Sequence, residues 1–274
     1  HFFNALFDHT DMITPIQTRH EQGAAYMATG AALATGESQV FCVVPGPGFL
    51  NTTAALSTAY AVNAPVMAFV GQIPTGAQGK GHGLLHEIPD QFGILERLTK
   101  SAHRVTGATD AASTIATAFR DLASGRPQPV GLEIAVNLWT QTIEGAVPDL
   151  VPETVTAPQP DSTAIDDAAS LIAAARAPMI VVGGGAQDDA EAVQALARRI
   201  GAPVVAFRTG HGVMPSDDPL SIGMPMAHSL WPDVDLVIGL GTRLQSQVMS
   251  WGRDDAMKII HIDIDESQIG RSAA

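Results

Sequence analysis

Short apolar runs rich in β-branched residues alternate with Ala-rich stretches along nearly the whole chain. In the first half, QVFCVVPG (39–46), APVMAFVG (64–71) and PVGLEIAV (129–136) read as buried strands, the first running into a turn. Between them, GFLNTTAALSTAYAV (48–62) and DAASTIATAFRDLASG (110–125) read as helices; Ile115, Ala118, Phe119 and Leu122 recur at helical spacing in the second. A long polar loop is expected before residue 110. Residues 143–160 carry four prolines and no apolar periodicity, which predicts a linker. The pattern then resumes. Helices are expected over 162–177 and 188–201, and strands over 178–185, 202–210, 233–241 and 258–265. Helices alternating with continuous apolar strands predict an α/β chain with mainly parallel sheets covered on both faces, as two α/β/α domains, 1–142 and 161–274. The chain starts without Met and stops just after a strand-like run. It is therefore expected to be part of a longer polypeptide, incomplete at both ends.

Composition narrows the function classes. Only 16% of the 274 residues are charged against 46% hydrophobic, as in a globular protein with buried cores. Fifteen basic against 28 acidic residues give a net charge of −13, which argues against a nucleic-acid surface. No apolar stretch approaches the ~20 residues of a membrane span, and the N-terminus lacks the basic start of a signal peptide. The single cysteine, Cys42, cannot form an internal disulfide; a buried structural thiol and a cytoplasmic location are expected.

Several common sites are excluded. No G-x-S-x-G is present. The Walker spacing fails at Lys80 because residue 74 is Pro. His82, His86, Glu87 and Asp90 cluster in HGLLHEIPD, but Pro89 breaks the register of an H-E-x-x-H helix, so no metal site is expected there. The turn Gly183–Gly184–Gly185 departs from G-x-G-x-x-G. Two following Asp residues would repel a pyrophosphate, so a tight turn with helix capping is expected. GLGTRL (239–244), with Arg243, is a second glycine turn at a strand end. Glu21 is different. It stands at the mouth of a small apolar run from Gly23 to Leu33, and two readings are open: a carboxylate offsetting a helix dipole, or one with a proton to move.

Three segments in order carry a resemblance: RHEQGAAYMATGAALATG, then CVVPGPGFLNTTAALSTAY, then PVMAFVGQIP with the loop GHGLLHEIPDQFGILERLTK. Together they resemble the pyrimidine-binding domain of thiamine-diphosphate enzymes of the acetolactate synthase and pyruvate oxidase group. RTGHGVMPSDDPLSIGM and IIHIDIDESQIG are similar to the group's central domain, so the resemblance covers essentially the whole chain. It implies a thiamine-diphosphate-binding fold followed by a Rossmann-like central domain. It also implies that Glu21 bonds the cofactor's aminopyrimidine and promotes formation of the ylid, with Val44, Gly46, Pro47 and Asn51 bordering the ring. Many relatives have Thr where Val44 stands. An Ala/Gly/Met setting disfavours a charged carboxyl, so the Glu21 pKa is expected to rise.

The group often carries Gln before the Glu of its F-Q-E loop; here the triplet is LHE. His86 takes the place of that glutamine and becomes a candidate for proton exchange with a bound intermediate. Flavin-contacting positions of the central domain mostly do not match, so FAD is not expected. The G-D-G…N-N motif that holds Mg²⁺ and the diphosphate has no counterpart in the chain; both are expected from a C-terminal domain. The resemblance implies a homodimer or homotetramer with the active site between subunits. The implied activity cleaves a 2-oxo acid or related acyl donor through an ylid and enamine, with carboligation or decarboxylation. An acyl-CoA decarboxylase of the oxalyl-CoA type and a non-catalytic nucleotide-binding protein using the glycine turns are the alternatives.

Overall fold

A computed structural model of the chain describes residues 2–143, 155–253 and 255–272. These residues divide into two compact units between Thr156 and Ala157. Most of the expected linker lies outside the described residues; 155–160 are exposed and without regular secondary structure.

The first unit holds four parallel strands, β1 (Gln39–Val43), β2 (Val66–Gln72), β3 (Ser101–Val105) and β4 (Val130–Ala135), in the order β1-β2-β4-β3. Side chains alternate across a strand, so each face of the sheet builds its own core. Phe41 and Val43 of β1 join Val66, Ala68 and Val70 of β2 on one face. Ala25, Ala28 and Ala32 of the helix Glu21–Thr35 pack there, with Leu56 of the helix Thr53–Val62 and Leu95 of the helix Gln91–Leu98. Met67, Phe69, Val130, Leu132 and Ile134 face the other way, against Ala118 and Leu122 of the helix Ala108–Ala123. Small residues on Glu21–Thr35 let that helix lie close to the sheet. Gly131 does the same under Leu95: a Cβ there would sit 2.5 Å from the Leu95 Cγ.

Four differences from the sequence reading have simple causes. The expected loop before 110 contains both the helix Gln91–Leu98 and strand β3. β3 (SAHRV) is an edge strand whose side chains are mostly half-buried, so it lacks an apolar run. The expected helix 48–62 is two helices, Pro47–Leu50 and Thr53–Val62, interrupted at Asn51 and Thr52. β1 is the other edge, and its outer positions Val40 and Cys42 are exposed, as is Val44 just beyond it. Cys42 is thus not the buried thiol expected from its apolar neighbours.

The second unit carries five parallel strands, β5 (Pro178–Val182), β6 (Val204–Ala206), β7 (Ser221–Ile222), β8 (Leu236–Leu240) and β9 (Lys258–Ile262), in the order β7-β6-β5-β8-β9. Ile180 and Val182 point to the helices Ser162–Ala174 and Ala190–Ile200. Met179 and Val181 point to a core that contains Ala227, Trp231 and Leu244. Ile180 is fully buried. Ile180→Val is expected to cost about 0.5–1.5 kcal/mol, read as a lower urea midpoint with an unchanged slope. No helix among the described residues is long and apolar enough to cross a membrane.

Candidate active site

The helix that begins at Glu21 is capped by its neighbour: the His20 Nδ1 accepts from the Gln22 N–H at 3.2 Å. The Glu21 side chain stays beside its own backbone N–H in the first turn and also reaches another segment. Its Oε2 accepts from the Asn51 Nδ2 at 3.0 Å. Asn51 is placed by the turn that follows β1. Gly46 adopts φ 60° and ψ −119°, which favours glycine, and Pro47 starts the short helix Pro47–Leu50, where its missing N–H is no loss. The Asn51 N–H closes that helix on the Pro47 carbonyl at 3.0 Å. Buried Thr52 adds a hydroxyl bond to the Phe49 carbonyl at 2.7 Å.

Gly48 completes the patch. A Cβ on it would lie 2.5 Å from the Val44 Cγ2 and 3.6 Å from the Glu21 Oε1. Glu21, Val44, Gly48 and Asn51 therefore line one small surface at the C-terminal end of β1. Pro47 and Asn51 are exposed, Gly46 is buried and Glu21 is half-buried. His86 reaches the same turn through its main chain: a Cβ on Gly46 would sit 2.4 Å from the His86 carbonyl oxygen. His86 itself holds φ 73°, the left-handed region that a non-glycine residue rarely adopts. All six residues singled out from the sequence thus gather around one turn.

The electrostatics differ from expectation. Glu21 is held below the ordinary carboxylate value, first by the Asn51 amide that it accepts and then by its own backbone N–H and nearby His20. The expected upward shift is absent because Glu21, although on the same helix stripe as Ala25, Ala28 and Ala32, sits in the first turn and is only half-buried, so the hydrogen bonds it accepts outweigh its desolvation. Asn51→Ala removes the largest cause and is expected to move the Glu21 pKa up toward the ordinary carboxylate value, read by carboxyl NMR titration.

Glu87 and Asp90, part of the polar cluster near His86, serve the chain itself. Glu87 accepts from the Gly81 and Leu84 N–H groups at 3.1 and 2.9 Å, and Asp90 caps the helix Gln91–Leu98 through the Gly93 N–H. Among the described residues, no three His, Cys, Asp or Glu side chains group as metal ligands. In the second unit the glycine turns pack on each other. A Cβ on Gly183 would lie 2.2 Å from the Gly241 carbonyl oxygen, and one on Gly241 2.4 Å from the Gly185 carbonyl carbon. The tight turn is as expected, but Asp189 makes no side-chain bond at the start of Ala190–Ile200, so capping plays no part there.

Gly46 and Gly48 let the His86 main chain and the Val44 side chain pack against the turn, and the Glu21 carboxylate held beside it is a group that can share a proton with a basic ring nitrogen.

Comparison with known proteins gives the same direction. Residues 1–94 match the N-terminal TPP binding domain of thiamine pyrophosphate enzymes, and residues 165–274 match the central domain of those enzymes. A probable acetolactate synthase large subunit of Methanocaldococcus jannaschii is 34% identical over 290 residues, covering 99% of this chain and 48% of that protein. Acetolactate synthase isozyme 1 large subunit of Escherichia coli is 32% identical over 279 residues, covering 98% of this chain and 49% of its own length. A probable 2-ketoarginine decarboxylase AruI of Pseudomonas aeruginosa is 33% identical over 236 residues, covering 85% and 42%. The chain spans about half the length of these relatives.

Proposed function

Because the chain belongs to the thiamine pyrophosphate enzymes, with an N-terminal and a central domain of that family, we propose that it works in an acetolactate-synthase-like enzyme that cleaves a 2-oxo acid or related acyl donor. The observation that carries this reading is the Glu21–Asn51 pair beside the Gly46–Gly48 turn. In it, the Glu21 carboxylate holds and moves a proton at the ring nitrogen of the aminopyrimidine. Gly46, Pro47 and Asn51 border the ring, and Val44 packs against it. Bound there, thiamine diphosphate supplies the nucleophilic carbon for attack on the donor carbonyl, and the protein supplies position and proton transfer. His86 is the group that exchanges a proton with the substrate.

Mg²⁺ and the diphosphate are assigned to residues outside this chain, and the working unit to a homodimer or homotetramer with the active site between subunits. Two observations support a covering surface. Val44, Pro47, Leu50 and Asn51 are exposed around Glu21, whereas proton transfer of this kind needs water kept out. A carboxylate below its ordinary value is also a weak base; covering it would raise its pKa toward the working range.

The test uses the complete gene product with Mg²⁺ and thiamine diphosphate, following H/D exchange at the thiazolium C2 by NMR. Exchange faster than in free cofactor is expected. Exchange at the free rate would remove the enzyme reading and turn attention to ADP or FAD binding by residues 161–274. Product analysis with 2-oxo acids then separates the two fates. The relatives include both a synthase and a decarboxylase, and the His86 substitution favours testing the decarboxylase product alongside the carboligation product. Turnover only with acyl-CoA donors would replace the 2-oxo acid reading.

A further inference from the structure

Among the described residues of the first unit, Glu133 is the one acidic residue with a fully buried side chain, at 0% exposure in the middle of β4. It sits on the face of the sheet that packs under Gln91–Leu98, next to β2 on one side and β3 on the other. Arg104, its direct neighbour in register on β3, donates to Oε1 at 2.6 Å and lies over the Phe92 ring. Oε2 accepts two amides at once, from the Gln72 Nε2 at 2.9 Å and the Gln91 Nε2 at 2.8 Å. Burying an ion pair is weak as a stabilising device, because desolvation of the charges offsets most of their attraction. The reason for a carboxylate here lies elsewhere.

A carboxylate only accepts, so it forces both glutamines to present their NH₂ groups. Their carbonyl oxygens must then point away from it. The Gln72 oxygen accepts from the Ile73 N–H at 2.7 Å. The Gln91 oxygen accepts from the Gly46 N–H, also at 2.7 Å, while its NH₂ group donates a second bond to the Gly71 carbonyl. Gly46 is the residue whose φ of 60° opens the turn carrying Pro47, Gly48 and Asn51 to Glu21. A neutral amide at 133 could face Gln91 with its own NH₂. Gln91 would then have to flip and set a donor against the Gly46 N–H.

We propose that Glu133 is a positioning residue: its buried carboxylate fixes the orientation of Gln91 and so holds the Gly46–Asn51 turn against Glu21. The catalytic consequence rests on the cofactor reading above; the orientation of the turn does not.

The experiment compares Glu133→Gln, Gln91→Met, their double variant and Gln72→Met in the complete gene product, with and without Mg²⁺ and thiamine diphosphate. Gln72→Met removes an equally buried bond to the same oxygen but leads to Ile73, so it reports what general loosening does. The first readout is exchange of the Gly46 amide proton. Glu133→Gln and Gln91→Met are each expected to speed it about fivefold, the worth of one such bond. The double variant should be no faster than Gln91→Met, and Gln72→Met should stay within about twofold of wild type. Wild-type protection of Gly46 in Glu133→Gln, multiplying effects in the double variant, or an equal effect from Gln72→Met would each overturn the proposal. Should the glutamine variant not fold, Glu133→Asp, which withdraws the acceptor by one methylene from Gln91, enters the same comparison with the same outcomes. The second readout is C2 exchange in the loaded protein, expected to fall in the Glu133 and Gln91 variants and not in Gln72→Met. A wild type that does not accelerate C2 exchange defeats the cofactor reading, while Gly46 exchange still decides the role of Glu133.

Discussion

Glu21→Gln is expected to slow exchange of the thiazolium C2 proton in the loaded protein by about 10²- to 10⁴-fold, the range that a positioned acid–base group contributes. Glutamine keeps the length of the side chain, and its carbonyl oxygen can still accept from the Asn51 amide that now meets Oε2 at 3.0 Å. His20 rather than Glu21 supplies the side-chain cap, so the helix start survives the change. The variant thus removes the proton acceptor and little else. The control is cofactor affinity, measured separately, because a weakened complex would slow exchange without any change in chemistry. A variant that binds normally and exchanges at the wild-type rate would show that Glu21 is a surface carboxylate with no part in the reaction.

Gly46→Ala has the second large expected effect, and it falls on the fold as well as the site. At φ 60° and ψ −119° the backbone alone makes a side chain unfavourable by about 1–3 kcal/mol. The new Cβ would also lie 2.4 Å from the His86 carbonyl oxygen and 2.9 Å from the His86 Cα, main-chain atoms that cannot rotate aside. Either the 46–51 turn or the His86 segment must move, and the Gly46–Gln91 bond at 2.7 Å goes with it. A loss of about 3 kcal/mol or more in urea unfolding follows, together with weaker cofactor binding. Gly30→Ala is the matched control. It lies inside Glu21–Thr35 with nothing within 4 Å of a Cβ, and a gain of up to about 1 kcal/mol is expected there.

The architecture was largely legible because buried parallel strands such as VMAFVGQ and PMIVV are apolar throughout. What escaped were elements whose burial is partial. β3 alternates polar residues along a sheet edge, and the Gln91–Leu98 helix follows a proline and a capping Asp that read together as loop. The break at Asn51 and Thr52 was hidden because both flanking helices share one apolar, small-residue composition.

At the site, the motif brought Glu21, Val44, Gly46, Pro47, Asn51 and His86 to notice, and the fold gathers them. The direction of the Glu21 shift was misjudged because composition does not reveal the hydrogen-bond partner, Asn51, that another segment brings to the first turn of the helix. The Glu133 network was missed altogether. Its four members come from β2, β3, β4 and a helix, and only strand register makes them neighbours. One signal was present: a lone charge in PVGLEIAV, an otherwise uncharged run that reads as a fully buried strand.

The strand order β1-β2-β4-β3 also bears on how the chain is made. β4 is the last of the four to be synthesised, yet it is inserted between β2 and β3, pairing Met67 with Val130 and Ser101 with Val130. Until it leaves the ribosome, β2 and β3 have no shared partner, and Gln72, Gln91 and Arg104 have no carboxylate to meet. Closing such distant pairs is the slow part of folding. The sheet of the first unit is therefore completed last by the strand that also orients the turn beside Glu21.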